Sequence, residues 1–136
     1  MTTKTLADAN AGFTARSFAA FWAQPDPAMV RHAVAPDVIG YWPGRSDPVR
    51  GVVAYAKAIA DVLALVPDLR LDVLEHATNG ENLFVRWRGI GTGARGRFEL
   101  RGIDRIRVLD GRVAENVIVF DTAQFEHVTG LSWARA

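Results

Sequence analysis

Residues 97–121, RFELRGIDRIRVLDGRVAENVIVFD, decide how this chain of 136 residues is read. If the first half is a strand, Phe98, Leu100, Gly102, Asp104, Ile106 and Val108 share one face, because successive side chains of a strand point to opposite sides. Asp104 is the one carboxylate on that otherwise apolar face. Burying an ionised carboxylate is costly unless it is paired, hydrogen-bonded or kept protonated, so Asp104 implies either a built-in partner or a working acid. Asp110-Gly111 then interrupts the alternation with turn chemistry, and RVAENVIVF resumes it as a second strand.

Upstream, LFVRWRGI is a third strand, joined through GTGARG, and NGEN at 79–82 turns it back to a fourth in which Leu69, Leu71 and Val73 alternate with polar neighbours. A two-residue turn at Gly93-Ala94 pairs Trp87 with Leu100, Val85 with Gly102 and Leu83 with Asp104, and sets Arg88 opposite Glu99. For the next hairpin, a type I turn with Gly111 as a bulge sets Asn116 opposite Asp104 and Ile118 opposite Gly102, whereas a tight Asp110-Gly111 turn brings Val117 inward. The concave side then carries Leu83, Val85, Trp87, Leu100, Asp104, Asn116, Ile118 and Phe120. An apolar wall with a polar pair near its middle suits a small-molecule pocket, and it equally suits a filled core in which Asp104 is bonded to Asn116 or a backbone amide.

The other face carries Arg86, Arg88, Arg101, Arg105 and Arg107 with Glu99 and Glu115. Binding of nucleic acid would want aromatic platforms among those charges, but the aromatics lie on the opposite face. A sheet surface with Arg–Glu pairs and an apolar patch of Ile103, Val117 and Val119 suits a homodimer contact.

Before residue 69 the periodicity is helical. Phe13, Ser17, Phe18, Phe21 and Trp22 make an aromatic stripe on a helix over 11–23; Asp26 caps a second helix that Pro36 stops; Val38–Trp42 is a short strand; and Val52–Val66 carries Tyr55, Ile59 and Leu63 on one helical face. Asp121 caps a last short helix over Thr122–His127, and residues 131–136 read as a tail. Helices followed by an antiparallel meander give a single α+β domain spanning 1–136.

Sixteen basic against fifteen acidic residues leave a net charge of +1, which speaks against a general polyanion binder; fourteen of the basic residues are arginine, Lys4 and Lys57 being the only lysines. No cysteine is present, the opening MTTKTLADANAGFTA lacks an apolar signal core, and no run is long enough to span a membrane, so a cytoplasmic setting is expected. GTGARG matches GxGxxG literally but is followed by a strand, not the helix that would meet a pyrophosphate. His32, His76 and His127 lack metal-ligand spacing, and Ser17, Ser46 and Ser132 occupy no nucleophile elbow. Neither a metal nor an organic cofactor is expected.

The stretch RGIDRIRVLDGRVAENVIVFD, with the aromatic first helix, the strand ending in YWP and the helix opening at Gly51, resembles the nuclear transport factor 2-like superfamily, in particular its SnoaL-like cyclases and ketosteroid isomerases. The resemblance implies a cone-shaped, cystatin-like α+β barrel: three N-terminal helices wrapped by a curved mixed sheet, with a pocket at the open end and dimers through the sheet. It puts Asp104 where ketosteroid isomerases keep a protonated aspartic acid as an oxyanion donor. Their tyrosine partners correspond to Phe18, Val34 and Ile59, and their general base to Trp42. The cyclases' acid/base aspartate corresponds to Ile118, and the GTH of their third strand reads Gly91-Thr92-Gly93.

Two readings follow. In one, the protein is an isomerase, cyclase or hydrolase-like enzyme on a small apolar molecule, with Asp104 catalytic and Phe18, Trp42, Tyr55, Trp87, Asn116, Ile118 and Phe120 holding the substrate. In the other, it is a non-catalytic ligand-binding or dimerisation module in which Asp104 is structural.

Overall fold

The structure, a computed structural model, describes residues 12–133. Ala11, expected to open the first helix, and residues 134–136 of the expected tail lie outside the described residues.

The first helix, α1 (Ala15–Ala23), starts at Thr14, where Thr14 Oγ1 accepts from the Ser17 amide and Ser17 Oγ accepts from the Thr14 amide at 3.0 Å. This reciprocal cap satisfies two amides that have no intrahelical acceptor, which fixes the start later than the apolar stripe suggests. The helix buries Ala15, Phe18 and Trp22. Asp26 caps the next turn through the Ala28 amide at 3.0 Å, but Pro27–His32 winds as a 3-10 helix. The segment before Pro36 is short, and strand β1 (Val34–Tyr41) begins earlier than expected and contains that proline. Pro36 lies where pairing with a neighbouring strand shifts between Val34 and Ile39, the kind of irregularity at which a strand tolerates a residue that cannot donate. After the two-residue β2 (Val49–Arg50), α2 (Val52–Leu65) buries Tyr55, Ala58, Ile59 and Val62.

Four long strands follow: β3 (Arg70–Asn79), β4 (Asn82–Gly93), β5 (Gly96–Leu109) and β6 (Arg112–Val119). The sheet order is β2-β1-β6-β5-β4-β3, with β1 parallel to β6 and every other pair antiparallel. The fold is the expected α+β cone with a mixed sheet against N-terminal helices, but β2 and β3 remain edges, so the sheet does not close into a barrel.

The burial of β5 alternates without exception from Phe98 to Asp104, as the sequence pattern requires. Its partners differ from the expected ones by two residues. The β4–β5 turn is Ala94-Arg95, which sets Val85 opposite Asp104, Trp87 opposite Gly102 and Leu83 opposite Ile106. Arg88 faces Arg101, not Glu99, and takes its charge partner from β3, Asp72 Oδ2 at 3.0 Å. A two-residue slip preserves the faces, because the side-chain period is two. Gly96 has φ +100 directly after this turn, which lies one residue further along than Gly93-Ala94.

The second hairpin combines both alternatives. Asp110 (φ 52) and Gly111 (φ 78) form the tight turn, pairing Leu109 with Arg112. A bulge then shifts the register between Arg107 and Val108, so that Asn116 and Ile118 return to the inner face, opposite Ile106 and Asp104. The expected pairing of Asn116 with Asp104 is therefore corrected to Ile118 with Asp104.

Helix α3 (Thr122–Thr129) is capped by Asp121 through the Gln124 amide at 3.0 Å and ends at Gly130, in the left-handed region at φ 72. Its end seats on Gly93, where an added Cβ would lie 2.5 Å from the Thr129 carbonyl oxygen, and the Ala94 amide donates to that oxygen at 2.7 Å. The chain beyond is no free tail. Trp133 is 6 % exposed, its indole donates to the Pro43 carbonyl at 2.6 Å, and its amide donates to Glu126 Oε2 at 2.9 Å.

Candidate functional site around Asp104

Gly102 is the residue that shapes the site. Trp87 lies opposite it, and an added Cβ on Gly102 would come within 2.3 Å of the indole Cζ2, so the missing side chain is what lets the indole lie across β5. The indole Nε1 thereby reaches the inward residue two positions along and donates to Asp104 Oδ1 at 2.8 Å. Asp104 is 5 % exposed, and no cation reaches its carboxylate among the described residues. Burial raises its pKa from 3.8 to about 6, against the opposing pull of the Trp87 indole and the Asn116 amide. A carboxyl raised to about 6 still ionises near neutral pH, so Asp104 is not a permanently neutral donor.

Asn116 comes from β6 and is also 5 % exposed. Its Nδ2 donates to Tyr55 Oη at 2.7 Å, linking the sheet to α2. The Tyr55 hydroxyl is pushed well above its ordinary pKa by burial, with the Asn116 bond lowering it and the charge of Asp104 raising it further. Two polar atoms in this region are buried and have no partner among the described residues: Asn116 Oδ1 and the indole Nε1 of Trp42.

These groups meet a cavity of about 60 Å³ lined by Trp22, Trp42, Leu71, Trp87, Phe98, Leu100, Ile118, Phe120, Phe125 and Trp133. Among the described residues, Asp104 is the only ionisable side chain that lines it, and Asn116 the only other polar residue. Trp133 closes one side, its ring 4.9 Å from Phe120 and 5.3 Å from Phe125 by centroid, both edge to face. Drug-sized ligand pockets span about 300–1,000 Å³, so the cavity admits only a small molecule while Trp133 stays seated. A wider hollow of about 520 Å³ at the opposite end of β4 and β5, between Phe13, His76, Leu83 and Asp110, contains none of this constellation.

Of the sequence-derived residues, Trp42, Trp87, Asp104, Asn116, Ile118 and Phe120 share the cavity. Phe18 does not reach it and packs in the core between α1 and the sheet. Tyr55 lies outside as well, touching the site only through Asn116. Phe98, Phe125 and Trp133 complete the wall. Phe98 was legible from its inward position on β5, whereas Phe125 and Trp133 depend on how the last helix folds back over Gly93.

The three histidines are exposed and separate, and among the described residues no group of three or more His, Asp or Glu side chains is gathered. Gly91 and Gly93 of GTGARG make room for Val66 and Thr129, a packing role unrelated to phosphate. Among the described residues no helix is long and apolar enough to cross a membrane.

The fold recurs in solved structures. A protein of Catenulispora acidiphila with a ketosteroid isomerase-like fold, solved with trimethylamine, superposes with a TM-score of 0.78 at 14 % identity, covering 86 % of this chain and 92 % of that one. TerC, co-crystallised with polyporic acid, gives 0.72 at 21 % identity over 82 % and 92 % of the two chains. A protein of Jannaschia sp. assigned as a SnoaL-like polyketide cyclase gives 0.71 at 16 % identity over 78 % and 79 %. At these identities the likeness is one of fold. No curated protein matches the chain significantly. The sequence model of the SnoaL-like polyketide cyclases matches residues 13–127, nearly the whole described chain, and the protein belongs to the SnoaL-like family.

Proposed function

We propose that this protein binds a small hydrophobic molecule in the aromatic cavity and uses Asp104 as a single proton-exchanging group upon it. The observation that carries this reading is the Asp104 carboxylate: buried, held by one indole, and raised to about 6, where a carboxyl both accepts and returns a proton near neutral pH. Because no second ionisable side chain among the described residues lines the cavity, a proton taken by Asp104 must leave by Asp104. Such a shuttle suits a reaction without net proton change, an isomerisation or an intramolecular ring closure, better than one requiring separate acid and base. Family membership supports the same class.

The competing reading is a non-catalytic ligand module, favoured by the replacement of the resembling enzymes' partner residues with Phe18, Val34, Trp42, Ile59 and Ile118. The two separate on Asp104→Asn, which keeps shape and the Trp87 bond. A thermal-shift screen with apolar carbonyl compounds, followed by turnover assays on the hits, should show retained binding and lost turnover in the variant. Equal turnover in variant and wild type would take Asp104 out of the chemistry, and no turnover by the wild type on any bound compound would leave only the module.

We further propose a homodimer through the outer sheet face, where Ile103, Val119, Phe84 and Tyr41 are exposed among Arg–Glu and Arg–Asp pairs. The cytoplasm is the compartment this reading assumes.

A further inference from the structure

Among the described residues, Trp42 Nε1 is a donor without an acceptor, and Asn116 Oδ1 is an acceptor without a donor. Both residues line the Asp104 cavity, and both are more than nine-tenths buried. The backbone brings them together, since β1 and β6 are parallel with Gly40 directly beside Asn116, and Trp42 follows two residues after Gly40. Gly40 has no side chain, and a Cβ there would stand 3.5 Å from Trp42 Nε1 and 2.9 Å from the Tyr55 ring. The open position lets Tyr55 reach Asn116, and the resulting bond occupies Nδ2 and leaves Oδ1 as the free end of the amide. Buried polar atoms are nearly always satisfied, so an unmatched donor and acceptor on one cavity point to a group that supplies both complements.

We propose that this pair is a hydroxyl-binding site, and that the ligand is a small uncharged aromatic alcohol of the phenol class, whose oxygen accepts from Trp42 Nε1 and whose O–H donates to Asn116 Oδ1. A hydroxyl is the smallest group that both accepts and donates. The ring is demanded by the wall, in which Trp87, Phe98, Phe120, Phe125 and Trp133 offer aromatic faces and edges. Neutrality is demanded by Asp104, since no lining cation would compensate a phenolate placed in the same cavity. The inference rests on the reading of the cavity as a ligand site and adds to it the ligand's polar group.

The test follows the indole N–H resonances of the 15N-labelled protein, with the Trp42 signal assigned by its absence in Trp42→Phe. Titration with p-cresol should move the Trp42 N–H signal downfield, whereas toluene, which has the same ring without the oxygen, should occupy the cavity without that shift. Wild type should bind p-cresol about tenfold more tightly than toluene, and Trp42→Phe and Asn116→Leu should each reduce that preference to within about twofold. A p-cresol titration that leaves the Trp42 N–H signal unmoved, or a preference in both variants as large as that of wild type, overturns the proposal. If toluene and p-cresol bind alike, the hydroxyl site fails while the ligand cavity stands; if neither binds, both fail. Preferential binding of trimethylammonium would also overturn it, because it would make Asp104 the counter-charge of a cation.

Discussion

Trp87 and Asp104 are joined across β4 and β5 by a 2.8 Å hydrogen bond that runs over the bare backbone of Gly102. The bond favours the ionised carboxylate while burial favours the protonated one, and burial is the larger effect. Several consequences can be measured.

Stability should rise as pH falls through 6. The folded-state pKa of Asp104 lies above that of the unfolded chain, so between the two values the folded state binds more protons and is favoured by acidification. The effect is absent below about 4, grows between 4 and 6, and above 6 costs the folded protein about 3 kcal/mol at full extent. Asp104→Asn removes this dependence. Urea melts of both proteins at pH 4.5 and 8 should show the variant's gain over wild type to be larger at the higher pH, by about 2 kcal/mol.

Trp87→Phe keeps the ring but removes the donor. The Asp104 pKa should then rise by about one pH unit, because a hydrogen bond to a charged group is worth about 1.5–3 kcal/mol and part of it is recovered from neighbours. Carboxyl 13C titration reads this directly; an unchanged value would mean that the indole bond does not tune the acid.

Gly102→Ala should evict the indole. With Cζ2 at 2.3 Å from the new methyl carbon, Trp87 must change rotamer and lose Asp104, at a cost of about 1–3 kcal/mol for overpacking. A shifted Trp87 N–H resonance with the fold retained is the expected signature.

Trp133→Ala removes the side of the cavity formed by the final segment. Truncating a buried tryptophan costs about 3–5 kcal/mol, and the space released should let polycyclic aromatics bind that wild type excludes. Fluorescent-ligand titration of the two proteins checks the second effect, and chemical denaturation the first.

Much of this site could be read from the sequence because strand parity is robust. Both hairpins were displaced by two residues from the expected pairing, yet Asp104, Asn116, Ile118 and Trp87 remain inside, since only an odd shift exchanges the faces. The bulge between Arg107 and Val108 was less visible: Gly111 marks the turn, but nothing in RVAEN shows where the extra residue is absorbed. Phe18 was misplaced for a similar reason, because helical periodicity shows that it is buried but not against which part of the cone. Trp133 was hidden further still. Its burial depends on Glu126 and on Pro43 and Gly44, and since Pro43 lies 90 residues away no local pattern encodes it.

The most direct measurement is the Asp104 pKa itself, taken from the pH dependence of its side-chain carboxyl 13C resonance, with Asp104→Asn to assign the signal. A midpoint near 6 is the result expected of a buried carboxyl poised to exchange a proton inside an apolar cavity. A midpoint at or below 4 would show an acid that is solvated or paired, and would remove the basis for assigning it chemistry.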